Sequence, residues 1–231
     1  MESLLNNNYA AAVGNLESEF TYSHESYGEC FYSFQVKIPR LSESADIITV
    51  TASERILCDE DYKIGDKIKI VGQFRSYNNY TEVGNKLILT LFAKTIEKAE
   101  DERYLNEIIL NGFLCKSPVY RTTPFGREIT DILLAVNRTH NKSDYIPCIA
   151  WGRNAKFAQK LQVGDNIVVT GRMQSREYQK KLSETEIKTM TAYEVSVSKL
   201  ATFDTEENFD IESEFDLYSL RQSDETQDTV C

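Results

Sequence analysis

The sequence repeats itself once. Val13-Gly14-Asn15-Leu16 returns as Asn111-Gly112-Phe113-Leu114, a shift of 98. The same shift places Gly28 on Gly126, Arg40 on Arg138, Asp46 on Asp144, Ile48 on Ile146 and Ala52 on Ala150. Further along, Ile64–Ser76 (IGDKIKIVGQFRS) matches Val163–Ser175 (VGDNIVVTGRMQS) at a shift of 99. Collinear blocks at nearly one offset mean two copies of one small unit, not one large domain. The offset changes between Ala52 and Ile64, in a stretch that reads as helix. The boundary between copies falls near the charged run 97–103 (EKAEDER). The expected units are therefore residues 8–98 and 104–201, followed by a tail, 202–231.

Each copy reads as strands with one helix. In the second, Glu107–Leu114 is apolar, Arg127–Arg138 alternates, and Tyr145–Trp151 is a compact β-prone run. Asn154–Leu161 places Phe157 and Leu161 at i, i+4, which suits a short helix packing one stripe inward. Gly164-Asp165 reads as a turn, Asn166–Tyr178 as a strand, Gln179–Glu186 as a polar hairpin loop, and Lys188–Lys199 as the last strand. Five strands with a helix after the third is the order of an OB-fold barrel, and the helix favours it over an SH3-like barrel. The expected fold class is all-β: two tandem five-stranded OB-fold barrels, each with one short helix, plus a disordered acidic tail.

Composition permits this and excludes other classes. Of 231 residues, 41% are hydrophobic, enough to build cores. No apolar run approaches the ~20 residues that cross a bilayer, so no membrane partner is expected. The N-terminal MESLLNNNY lacks the basic and apolar regions of a secretory signal. Five scattered cysteines without a C-x-x-C, and two histidines, build no metal site and read as free thiols in a reducing cytoplasm. There is no phosphate-binding loop and no nucleophile motif, so no catalytic residue and no cofactor is assigned.

Charge is segregated. The net charge of −10 would by itself argue against a polyanionic ligand. Residues 202–231, however, carry ten acids and one base, whereas residues 106–201 carry fourteen Lys or Arg against nine acids. The second copy is thus basic, the tail strongly acidic, and the first copy mildly acidic. An acidic tail of this composition is expected to be disordered and to compete with nucleic acid for the basic face.

Period-2 geometry selects a face. In Tyr145–Trp151 the even positions (Ile146, Cys148, Ala150) are small and apolar and suit a barrel interior. The odd positions put Tyr145 and Trp151 on the other side, ~20 Å apart at ~3.3 Å per residue. In Asn166–Tyr178 the outward set includes Arg172, Arg176 and Tyr178. Flat rings stack on unpaired bases and Arg or Lys neutralises phosphate, so the face suits single-stranded nucleic acid with little demand on base identity. Arg138, Arg153 and Lys180 add cations. The first copy keeps the interior pattern (Ile48, Val50, Ala52), but Ile47, Ser53 and about Asn79 stand where the second has Tyr145, Trp151 and Tyr178. Its Lys67, Lys69, Arg75 and Tyr77 suggest a weaker secondary contact, with a mainly architectural or partner-facing role.

The second copy resembles the bacterial single-stranded DNA-binding protein (SSB) family in Asn106–Leu114 (NEIILNGFL), Ile129–Arg138 (ITDILLAVNR), Asp144–Ala155 (DYIPCIAWGRNA) and Val163–Tyr178 (VGDNIVVTGRMQSREY). The resemblance implies an OB fold acting on single-stranded DNA in replication, repair or recombination in the cytoplasm, at the nucleoid. It puts stacking positions on Tyr145, Trp151 and Tyr178, with His140 at a fourth. Family members assemble four OB folds, so a two-barrel chain implies a homodimer. Their acidic tails dock replication and repair proteins. This tail offers Phe209-Asp210 and Phe215-Asp216 but ends Asp-Thr-Val-Cys, departing from the usual tip. The competing expectation is a replisome or primosome adaptor that binds nucleic acid weakly, and OB folds also take RNA or oligosaccharides.

Overall fold

A computed structural model describes residues 7–40, 42, 44–81, 84–139, 141–181 and 187–202. The first half runs β1 (Asn8–Leu16), β2 (Thr21–Ser26), β3 (Glu29–Pro39), β4 (Ala45–Ser53), α1 (Glu54–Leu57), β5 (Lys67–Thr81) and β6 (Gly84–Lys98). The second runs β7 (Leu105–Leu114), β8 (Val119–Thr122), β9 (Glu128–Arg138), β10 (Lys142–Trp151), α2 (Arg153–Ala158), β11 (Asn166–Lys181) and β12 (Ile187–Thr202). In each half five strands close on themselves. β1 pairs with both β3 and β5, β3 with β4, β4 with β6 in parallel, and β6 with β5. β7, β9, β10, β12 and β11 repeat that circuit. This is the OB-fold barrel with a helix after the third barrel strand. β2 and β8 are short additions hydrogen-bonded to the rims of β3 and β9.

Alternation along the strands builds the cores. Ile146, Cys148 and Ala150 of β10 are buried, as are Ile167, Val169 and Met173 of β11. The one-residue change of offset falls in the stretch that holds the helices, four residues long in α1 and six in α2. α2 corrects the expected inward stripe. Ala155 and Ala158 face the core, Leu161 packs against it from beyond the helix, and Phe157 is 40% exposed. One small-residue stripe lets so short a helix lie close on the barrel end, and a phenylalanine there would hold it off. The expected polar loop also shrinks. Gln179–Lys181 pairs with Ile187–Thr189, because a two-stranded ladder needs no apolar alternation once it leaves the barrel.

Both barrels bend at a bulge, between Val71 and Gly72 in β5 and between Thr170 and Gly171 in β11. A Cβ on Gly72 would stand 2.1 Å from the Phe92 carbonyl oxygen, and one on Gly171 would stand 2.2 Å from that of Ser196. The repeat carries a glycine in both copies because the neighbouring backbone occupies the space a side chain would need.

The two barrels are joined by an antiparallel ladder between β1 and β7, running from Asn8 opposite Leu110 to Val13 opposite Leu105. All twelve strands therefore form one continuous sheet. The seam is clamped reciprocally. Asp46, 1% exposed, binds the Arg40 guanidinium through a two-pronged contact, accepts from Arg172 Nη1 at 2.7 Å, and receives the Ser175 amide at 3.3 Å. The Ile47 amide donates to Ser175 Oγ at 3.0 Å. Asp144, at the equivalent repeat position, receives the Ser76 amide at 2.6 Å and pairs with Arg138 at 3.2 Å, while the Tyr145 amide donates to Ser76 Oγ at 2.7 Å. Within each barrel, Asn8 and Asn106 tie the seam strand to the neighbouring long strand in the same way, through the Phe74 and Met173 backbone. Equivalent residues meeting in both directions define an approximate internal two-fold, an isologous interface within one chain.

Two substitutions test these constraints. Gly171→Ala should lower unfolding free energy by about 2 kcal/mol or more, read by urea denaturation, because a backbone carbonyl must move. Asp46→Ala should cost about 2–4 kcal/mol in the same measurement, since it strands two partly buried guanidinium groups and an amide.

Candidate nucleic-acid interface

β10 presents its odd positions outward, and Tyr145 is 48% exposed on that face. Trp151 shares it at the far end of the strand, partly buried, while Ile149 between them is buried. Trp151 opens a pocket of about 470 Å³ with Arg153, Asn154, Phe157 and Leu200. Asn154 Nδ2 donates to the Ser198 carbonyl at 2.9 Å and so ties α2 to β12. The exposed Phe157 thus stands beside Trp151, a second ring at this end of the face. Its i+4 spacing to Leu161 reads equally well as core, and only the depth of α2 in the barrel decides the matter.

The candidate cations divide. Arg153 opens α2 and is exposed. Arg172 is held across the seam by Asp46 and by Gln174 Oε1 at 2.8 Å, and Arg138 by Asp144 of its own barrel, so both are already paired. Arg176, Tyr178 and Lys180 lie on β11 where it pairs with β12, opposite Ala192, Met190 and Lys188. Their side chains, like His140 and the tail residues Phe209, Asp210, Phe215 and Asp216, lie outside the described residues. In the first barrel, Lys67 Nζ donates to the Glu102 carbonyl and sits 4.4 Å over the Tyr104 ring, while Lys69 pairs with Glu102 at 3.2 Å. Both hold the connection between the barrels. Arg75 and Tyr77 lie farther along β5, ~20 Å from Lys69 at ~3.3 Å per residue, so the four do not form one cluster.

The first barrel carries aromatics the repeat comparison does not reveal. The His24 ring stacks on Phe31 at 4.9 Å and 7°, and Phe31 lies 5.5 Å from Phe92. The Arg75 guanidinium sits 3.8 Å over the Phe92 ring. These residues come from β2, β3, β5 and β6, at positions unrelated to Tyr145, Trp151 and Tyr178. Their only sequence signal is the aromatic density of residues 20–34, and nothing local joins that to Phe92. Among the described residues no group of three or more metal-ligating side chains converges, and no helix is long and apolar enough to cross a membrane.

Asp144 is fully buried, and burial pushes its carboxyl above the ordinary carboxylate range although the Ser76 amide, Arg138 and Arg75 pull it down. Its folded form thus holds a proton to higher pH than its unfolded form. The stability it contributes is greatest in acid and is lost as pH rises through the window from about 4 upward. Asp144→Asn removes that titration. The stability of the parent relative to this variant should fall as pH is raised from about 4 to 7, in urea melts across that range. A gap that widened with pH would contradict the assignment.

The architecture is that of an OB-fold barrel, with Tyr145 and Trp151 along the outer face of its third strand and Arg153 just beyond it at the start of α2. Residues 105–202 match the Single-strand binding protein family. Single-stranded DNA-binding protein 1 of Staphylococcus aureus (strain COL) is 40% identical over 82 residues, covering 32% of this chain and 49% of that protein. Single-stranded DNA-binding protein A of Bacillus subtilis (strain 168) is 39% identical over 82 residues, covering 32% and 48%. The chain spans about half the length of these curated relatives. The crystal structure of wild-type single-stranded DNA binding protein from Thermus aquaticus superposes with a TM-score of 0.67 at 20% identity, over 85% of this chain and 93% of that one. At that identity the likeness is one of fold, and it spans both barrels. The sequence match to that family is thus confined to the second barrel, and the first barrel shares with these proteins a likeness of fold.

Proposed function

We propose that this protein coats single-stranded DNA without strong sequence preference, as a non-catalytic binder serving replication, repair or recombination in the bacterial cytoplasm. The observation that carries this is the pair Tyr145 and Trp151 on the outer face of β10, within a barrel matched to the single-strand binding family. Bases stack on the two rings, with Phe157 beside Trp151, and Arg153 takes phosphate. Tyr178, Arg176, Lys180 and His140 extend the same path in this reading. Arg138 and Arg172 contribute by holding the barrels in register. The units are barrel one over 8–98, barrel two over 104–201 and the tail over 202–231, whose Phe209-Asp210 and Phe215-Asp216 meet replication or repair proteins. Tyr9, Val71, Leu105 and Val168 surround buried Ala11 and Ile109 on the outside of the β1–β7 seam, an apolar surface on which a second copy completes a set of four barrels. Light scattering should accordingly give twice the chain mass.

Trp151 is the sole tryptophan of the sequence and reports directly. Oligo-dT should quench its fluorescence, and added salt should weaken binding through counterion release. Tyr145→Ala or Trp151→Ala should weaken binding about 5- to 100-fold in mobility shifts, the range expected for losing one stacked base. Neither quenching nor a mobility shift at low salt would sink the proposal.

A further inference from the structure

We propose that the first barrel holds a second nucleotide-binding site of single-stranded DNA, in the cleft at the barrel junction lined by His24, Tyr77, Phe92, Arg75 and Arg138. The inference rests on the single-stranded DNA reading above and extends the path from one barrel to two. The cleft measures about 560 Å³ and is lined mostly by apolar atoms. That is within the ~300–1,000 Å³ of small-molecule sites. Its rings are braced from behind: Phe31 stacks on His24 and contacts Phe92, which fixes both before any base arrives. Tyr77 is 47% exposed at the rim. His24 and Tyr77 are flat, exposed rings of the kind that take bases without reading them, and Phe92 carries the Arg75 guanidinium over its face.

The charge of the cleft points to phosphate. Arg75 and Arg138 both line it, and among the described residues no carboxylate does. Asp144 stands behind, already engaged by Arg138 and the Ser76 amide. Arg75 donates through Nη2 to Gln73 at 3.0 Å, but its Nε–H is buried without a hydrogen-bond partner. Incomplete hydrogen bonding on a part-buried cation is costly, and a phosphate at the open side of the guanidinium offsets that cost through charge. Burial and the neighbouring Arg138 also make the Arg75 charge harder to hold, as expected of a site short of negative charge.

Continuity with the second barrel selects a strand over an isolated anion. Ser76 lines the cleft, and its hydroxyl accepts the Tyr145 amide at 2.7 Å. The cleft therefore begins where the β10 face ends. A strand that leaves Tyr145 meets Arg138 and Arg75 next, and then the rings of the first barrel. The site uses none of the positions that the repeat equates with Tyr145, Trp151 and Tyr178.

The full chain tests this with two oligonucleotide lengths. Oligo-dT of about 8 nucleotides fits one barrel, and about 30 spans two, given roughly 4–16 nucleotides per OB fold. His24→Ala, at an exposed ring, should leave Trp151 quenching by the short oligomer unchanged and weaken the long one about fivefold or more. Arg75→Gln should lower the salt slope for the long oligomer by about one. Photocrosslinking of wild-type protein to iodouracil-substituted long oligomer should label peptides bearing His24, Tyr77 or Phe92 besides those bearing Tyr145 or Trp151. Crosslinks confined to the second barrel, with His24→Ala matching wild type at both lengths, would overturn the second site. Failure of the first reading looks different, because wild type would then show no quenching at either length.

Discussion

The ladder between β1 and β7, locked by Asp46 and Asp144, is the constraint on which the rest depends. A single OB barrel of this size presents one short face. Joining two through their first strands sets both faces in one rigid frame without a flexible linker, and the linker that does exist is itself pinned by Lys67 and Lys69 to Glu102. A buried carboxylate is an expensive way to hold an interface unless its oxygens are saturated. Asp46 meets that condition with two guanidinium groups and an amide. Asp144 is less fully served, which is why burial dominates its titration.

Much of this fold was legible because it rests on short-range pattern. Period-2 alternation in β10 and β11 separates interior from exterior with no knowledge of partners, and burial follows it at Ile146, Cys148, Ala150, Ile167, Val169 and Met173, while Ile149 and Thr170 are buried on the other face. The repeated glycines at 72 and 171 mark bulges where backbone meets backbone. What stayed hidden depends on contacts between residues far apart in sequence. Arg172 reads as a phosphate ligand on a cationic strand face, yet its nearest anion is Asp46, 126 positions away. Phe157 reads as core because helix periodicity shows a face but not how deeply a helix sits. The cluster of His24, Phe31 and Phe92 is invisible to a comparison of copies, since it occupies no repeated position.

The two copies have therefore diverged without losing their common frame. Comparing copies position by position shows the first stripped of Tyr145, Trp151 and Tyr178 equivalents, and suggests a mainly architectural or partner-facing barrel with a weaker contact. In three dimensions the aromatic content has moved instead, from the third barrel strand to the junction of β2, β3 and β6. An OB barrel tolerates this because its outer face carries function while the alternating interior carries stability.

A two-residue exchange shows how such divergence proceeds under the lock. The second copy has Arg172 and Gln174, and the first has Gln73 and Arg75 at the same repeat positions. In both, the arginine donates to the glutamine two residues away, so the local pairing survives the swap. Positions two apart share a strand face and lie ~7 Å from one another. The exchange therefore keeps one cation on that face and only moves it along the strand. At 172 the guanidinium reaches Asp46 and strengthens the seam. At 75 it lies over Phe92 with one N–H unpartnered. One clamp thus has two arginines on its aspartate, and the other has given up one contact at the seam and gained a cation in a cleft.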